Sequence, residues 1–129
     1  MSTPRQVILS PDAPQPLSVY SQAIQSGSLL FLAGQIPLDP KSGELVSGSL
    51  ERETDCIMAN LSAVLKAAGA SLKDVVKVTV YLTNMGDFAE FNSAYARHFP
   101  SAPPARTCVA VAALPRGVRI EIEAIAAVP

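Results

Sequence analysis

Two stretches of this chain alternate like β-strands yet offer no polar side. In Val75–Leu82 one side carries Val76, Val78, Val80 and Leu82, and the other Val75, Lys77, Thr79 and Tyr81. In Arg106–Ala113 one side carries Arg106, Cys108, Ala110 and Ala112, and the other Thr107, Val109, Val111 and Ala113. An antiparallel sheet with one face in water alternates cleanly between apolar and polar residues, and neither stretch does. Both faces of the sheet they build therefore need cover. The chain supplies two helices for that purpose. The first is predicted over Leu50–Ala68, with Ser49 as cap, Glu51 and Glu53 at the positive end, and Gly69 just past the last turn. Its buried stripe is Ile57, Leu61, Val64, Leu65 and Ala68. The second is predicted over Asp87–His98, with Asp87 and Glu90 spaced as a capping box and Phe88, Phe91, Tyr95 and Phe99 as its apolar face. Two helices cover one face of such a sheet, so the other is expected to pack on a further subunit.

The rest of the chain completes an α+β arrangement in a single domain spanning 1–129. Pro4, Pro11, Pro14 and Pro16 make 1–16 an extended segment, with at most a short strand at Gln6–Leu9. Ser26-Gly27-Ser28 joins Tyr20–Gln25 to Leu29–Ala33 as a hairpin, and Asp39 to Glu44 reads as a turn. A last strand, Val118–Ala126, follows Leu114-Pro115-Arg116-Gly117, a hairpin-like connection from the strand before it.

Composition narrows the function. Ten bases against eleven acids, scattered from Arg5 to Arg119, give no basic run for phosphates, and seven aromatic residues leave little for base stacking. Nucleic acid is therefore an improbable partner. The longest apolar run, Cys108–Leu114, falls far short of the roughly 20 residues of a helical span. The N-terminal Met-Ser-Thr-Pro-Arg-Gln-Val lacks the apolar core of an export signal, so a cytoplasmic protein with two reduced cysteines, Cys56 and Cys108, is expected. A single histidine, His98, and the lack of a Cys-x-x-Cys pair exclude a multi-histidine or paired-thiolate metal site. His98 reads as a surface or capping residue, and Cys108 as a small buried apolar one.

What remains is a few ionisable residues among Val, Ala and Ile. Arg106 shares a face with Cys108, and Glu121 and Glu123 alternate with Ile120, Ile122 and Ala124. They fit the solvated side of an edge strand with Arg106 as a strand-end charge. The sharper alternative is a site at a subunit boundary, where the arginine fork binds a carboxylate and a glutamate handles a water.

Nine ordered blocks carry a resemblance over Ala13–Ala126: Tyr20-Ser21-Gln22-Ala23, Gly34-Gln35-Ile36-Pro37, Ser42-Gly43-Glu44-Leu45-Val46, Val75-Val76-Lys77, Asp87-Phe88, Asn92, Tyr95, Pro104-Ala105-Arg106 and Glu121-Ile122-Glu123-Ala124-Ile125-Ala126. The chain resembles the Rid family, the reactive intermediate deaminases, also called the YjgF family. The resemblance implies a chorismate-mutase-like mixed sheet with two helices on one face, in a homotrimer with ligand sites between subunits. It implies hydrolysis of small 2-imino acids to 2-keto acids and ammonia, removing intermediates released by pyridoxal-phosphate enzymes, with no cofactor or metal. Arg106 matches the carboxylate-binding arginine and Glu121 the glutamate that holds the water. Ala33, Gly34 and Cys108 fall at the pocket, Tyr20 and Asn92 either contact the ligand or serve packing, and Glu123 reads as structural. A larger ligand in the same site is the alternative, and the family's endoribonuclease, translation-inhibitor and holdase labels are weaker ones. The family's usual Gly-Pro before Tyr-Ser-Gln is Ser18-Val19 here, its serine before Gly34 is Ala33, and the second glutamine of its first helix is replaced around Asp55-Cys56.

Overall fold

A computed structural model of the chain describes residues 4–129. The first part of the predicted extended segment, 1–3, lies outside the described residues. The elements are β1 (Arg5–Ile8), β2 (Ala23–Ser26), β3 (Leu29–Gln35), α1 (Leu50–Ala67), β4 (Val75–Leu82), α2 (Phe88–Ala96), β5 (Ala105–Ala110) and β6 (Ile120–Ala127). They form one mixed six-stranded sheet in the order β1-β2-β3-β6-β4-β5.

The β2–β3 hairpin forms as predicted, with Gly27 at φ 60 in its turn. Strands β3 and β4 both run antiparallel to β6, and β5 runs parallel to β4. The segments β3-α1-β4 and β4-α2-β5 are therefore two crossovers between parallel strands, and both step across the sheet in the same direction. Crossovers of this kind are almost always right-handed, so both helices fall on the same face.

That face holds the core. Leu30, Leu32, Val78, Val80, Leu82, Ile120 and Ile122 meet Ile57, Leu61, Val64 and Leu65 of α1 and Phe91 of α2, all at or below 4 % exposure. The Ser49 hydroxyl accepts from the Arg52 amide as expected, and Gly69 takes φ 75 just beyond the helix. Glu53, buried in the first turn of α1, takes a forked set of bonds from Arg119 at 2.6 to 3.1 Å, tying that helix to the entry of β6.

The structure corrects several expectations. Asp87 makes no cap: a short 3₁₀ turn, Met85–Asp87, precedes α2, and its start is capped by Asn84, whose side chain accepts from the Gly86 amide. The helix also ends at Ala96. In β4 a bulge between Val75 and Lys77 turns Val75 inward and Val76 outward, the reverse of strict alternation. Strand β5 stops at Ala110, and no hairpin joins it to β6. The connection passes over the end of β4, bonded to it on both sides by Val111 N to Leu82 O at 2.8 Å and Thr83 N to Arg119 O at 3.2 Å. Consequently β6 lies inside the sheet rather than at its edge, and the edge-strand reading of Glu121 and Glu123 is overturned.

The extended segment is pinned by one side chain. Gln22 is 1 % exposed, accepts from Ser10 N at 2.6 Å, and donates to Ser10 O at 3.2 Å and Pro14 O at 2.9 Å. Gln22→Ala strands these buried partners and is expected to cost about 2 to 3 kcal/mol. Urea unfolding checks the loss, and limited proteolysis should cut first before residue 17.

Candidate functional site

The predicted site residues fall into two groups on opposite faces of the sheet. The first centres on Arg106 at the β5 edge. Its register partner is the core residue Val78, so it projects toward the helices, as does Cys108 opposite Val80. The guanidinium lies against α2, with Cζ at 4.9 Å from the Tyr95 ring centre, 5.4 Å from Phe88 and 5.7 Å from Phe91. Stacked aromatic faces attract a planar cation and fix its plane. Asn92, one turn along the same helix, accepts from Nη1 at 2.7 Å. One edge of the fork is thereby held, and Arg carries five N–H donors in all. Tyr95 serves through its ring, since its buried hydroxyl has no hydrogen-bond partner. Burial pushes the Tyr95 hydroxyl above its usual range, although the Arg106 charge pulls the other way. The Cys108 thiol is likewise raised by burial against a smaller opposing effect of Arg106. It is half-buried against the core beside Arg106.

The second group lies on the face without helices. Between Leu32 and Gln35 the β3 register slips against β6, so that Ala33 and Gly34 share the space opposite Glu123. The bulge brings the Gly34 backbone beneath the Glu121 carboxylate. A Cβ at Gly34 would collide with Oε2 of Glu121 and lie 2.9 Å from its Cδ. Glycine lets the carboxylate sit directly on the backbone there, since any Cβ would push the Glu121 side chain aside. Burial raises the Glu121 proton affinity above the usual carboxylate range, and the neighbouring Glu123 charge raises it further. Glu123 accepts a short hydrogen bond from the Tyr81 hydroxyl across the β4–β6 pair. Tyr20 is exposed on the loop before β2 and lines, with Ala33, Phe31 and Ser18, an open groove of about 660 Å³. The open face also carries Leu29, Phe31 and Val109, each at least 40 % exposed.

The remaining candidates have other roles. His98 meets Asp55 of α1 at 2.8 Å beside the Arg97–Asp55 pair, a tie between the two helices. Burial opposes ionisation of Asp55, but the bonds from His98 and Arg97 prevail and hold it below the usual range. Among the described residues no three His, Cys, Asp or Glu side chains converge as metal ligands would, and no helix is long and apolar enough to cross a membrane.

The family model described as Endoribonuclease L-PSP matches residues 10–128. The chain belongs to this family, the Rid or YjgF family. A RutC family protein of Pyrococcus horikoshii is 53 % identical over 122 residues, covering 95 % of this chain and 97 % of that one. A 2-iminobutanoate/2-iminopropanoate deaminase of Mus musculus is 47 % identical over 122 residues, covering 95 % of this chain and 90 % of that one. The crystal structure of a Rid family protein from Yersinia pestis superposes with a TM-score of 0.94 at 40 % identity, covering 97 % of this chain and all of the other.

Sequence reasoning about this Rid family chain missed two features of the site. Phe88, Phe91 and Tyr95 were legible only as an apolar helix face, because nothing in their spacing reveals that Arg106 lies against them. The Tyr81–Glu123 bond depends on the β4–β6 register, which a chain read in order does not disclose. The Gly34 contact generates a prediction. Gly34→Ala displaces the tip of a side chain rather than backbone, and it lowers unfolded-state entropy, so stability should stay within about 1 kcal/mol of the parent. The displaced Glu121 carboxylate moves toward water, and its titration midpoint should fall. Carbon-13 carboxyl NMR checks the shift, and thermal unfolding checks the stability.

Proposed function

We propose that this chain is an enamine/imine deaminase, a cytoplasmic hydrolase that converts small 2-imino acids to 2-keto acids and ammonia in sites formed between copies of the chain in a homotrimer. The observation that carries the reading is the caged guanidinium of Arg106. A fork held by Asn92 and three rings, with donors to spare, is suited to grip a planar carboxylate through paired charge-assisted bonds. The mouse relative's name supports the substrate class.

The reaction then needs a water and a group that exchanges protons. Glu121, half-buried with its proton affinity raised, suits both tasks. Water adds to the carbon of the protonated imine and passes one proton to Glu121, giving a neutral carbinolamine. The nitrogen takes that proton back from Glu121, the C–N bond breaks as the hydroxyl proton passes to Glu121 and the carbonyl forms, and the released ammonia carries that proton away as ammonium. Positioning supplies the rest of the rate. Within one copy Arg106 and Glu121 face opposite ways, so the site is completed when Arg106 of one copy meets Glu121 of the next. The apolar side chains of the open face supply the contact.

The groove beside Tyr20 favours a second reading within the same chemistry, a larger ligand in the same site. An RNA substrate is less well supported, since a net charge of −1 and scattered bases offer no phosphate track.

Threonine dehydratase generates 2-iminobutanoate in situ, and semicarbazide traps what survives. The chain should lower the trapped product, and Arg106→Ala should lose about a hundredfold in kcat/KM, the cost of a charged hydrogen-bond pair. A wild-type chain that leaves trapping unchanged refutes the reading. Light scattering should return about three times the chain mass of 13.5 kDa, and a monomer would remove the shared site.

A further inference from the structure

We propose that Tyr81 and Glu123 are a positioning pair that fixes a negative charge beside Glu121 and thereby sets how readily Glu121 gives up its proton. The proposal rests on the deaminase reading for its kinetic meaning, but its physical content is a property of three side chains.

The register places them together. Tyr81 stands directly across from Glu121 in the β4–β6 pair, and Thr79 stands across from Glu123. Glu121 and Glu123 lie two residues apart on one strand and therefore on the same face, with about 6.6 Å between their Cα atoms. The Tyr81 hydroxyl donates to Glu123 rather than to its own cross-strand partner. The bond fixes where the Glu123 carboxylate sits, on the same face as Glu121, and a like charge there disfavours a second negative charge on Glu121.

Within one copy the surroundings leave that repulsion uncompensated. From β3, Glu121 meets the Gly34 backbone and no charge. From β4 the titratable residues on this face are Tyr81 and Lys77, and Lys77 turns to β5, donating through Nζ to Thr107 Oγ1 at 2.7 Å. On this face β5 otherwise presents Ala105 and Val109. Arg106 of the same copy is on the opposite face, and Arg119 is engaged by Glu53; in the proposed assembly Arg106 of the next copy is the one cation brought toward Glu121, and it is present alike in the parent and the variants. Among the described residues no cation lies within ion-pair distance of Glu121 or Glu123. The bond to Glu123 also shows in Tyr81, whose hydroxyl is pushed up to about 12, first by that bond and then by burial.

This arrangement gives Glu123 a task that the sequence reading does not assign. It raises the proton affinity of Glu121 beyond what burial alone gives, which suits a group that takes a proton from water and returns it to nitrogen.

Glu123→Gln and Tyr81→Phe test it in the intact assembly. Carboxyl NMR, with Glu121→Gln to identify the resonance, should show the Glu121 midpoint in Glu123→Gln falling by about half a pH unit or more, the Coulomb effect of a charge at this range. Tyr81→Phe should move it in the same direction by less, because the Glu123 carboxylate is then no longer held beside Glu121 and can turn toward water. The acid limb of the kcat/KM profile for imine hydrolysis should follow. Midpoints unchanged in both variants, or a kcat/KM lowered equally at every pH, overturn the proposal in favour of a packing role. If the wild-type chain does not hydrolyse imines, the deaminase reading fails, and the NMR midpoints still decide this one.

Discussion

The handedness of two crossovers governs this molecule. Strand β3 hands the chain through α1 to β4, and β4 hands it through α2 to β5, each time moving the same way across the sheet. Right-handed connection then leaves one outcome, with both helices on one face and none on the other. The core under the helices is closed by Ile120 and Ile122 of β6, the last strand made, which slots between β3 and β4. Strands β3 and β4, the two ends of the first crossover, therefore meet only through β6. Much of the pairing is consequently long-range in sequence, a topology that folds slowly for its size.

The same geometry sorts the charges. Side chains pointing toward the helices meet aromatic rings and apolar surface, so the cations there are partnered closely: Arg106 by Asn92 and three rings, Arg119 by Glu53. Side chains on the other face meet the main chain of a bulge and one another. Carboxylates gather there with a phenol, and one of them, Glu121, keeps a proton more readily than usual. Electrostatic character therefore differs between the faces because of what each face packs against, rather than through any surplus of charge in the chain as a whole.

Much of this was legible in the residues. Ser49, Gly69 and the stripe from Ile57 to Leu65 announced α1, and Gly27 announced the hairpin, because these signals are local. The shortage of polar sides in β4 and β5 pointed to a face left uncovered by helices. The failures came from non-local effects. Glu90 follows Asp87 at capping-box spacing, but the turn capped by Asn84 consumes the start of α2. Pro115 and Gly117 suggested a hairpin, but the segment around them crosses the end of β4, and a strand two places away competes for the same partner. Strict alternation mis-assigned Val75 and Val76, since a bulge shifts the period without changing composition. For the site, Arg106, Glu121 and Gly34 were named by family resemblance, whereas their distribution over two faces required the fold.

That distribution separates two events usually treated as one. The core under the helices lies within one copy, while that copy's arginine and glutamate look away from each other. On the proposed reading, such a chain is fully folded and chemically idle. Competence would begin at a second, bimolecular step, so dilution could silence the protein without unfolding any part of it.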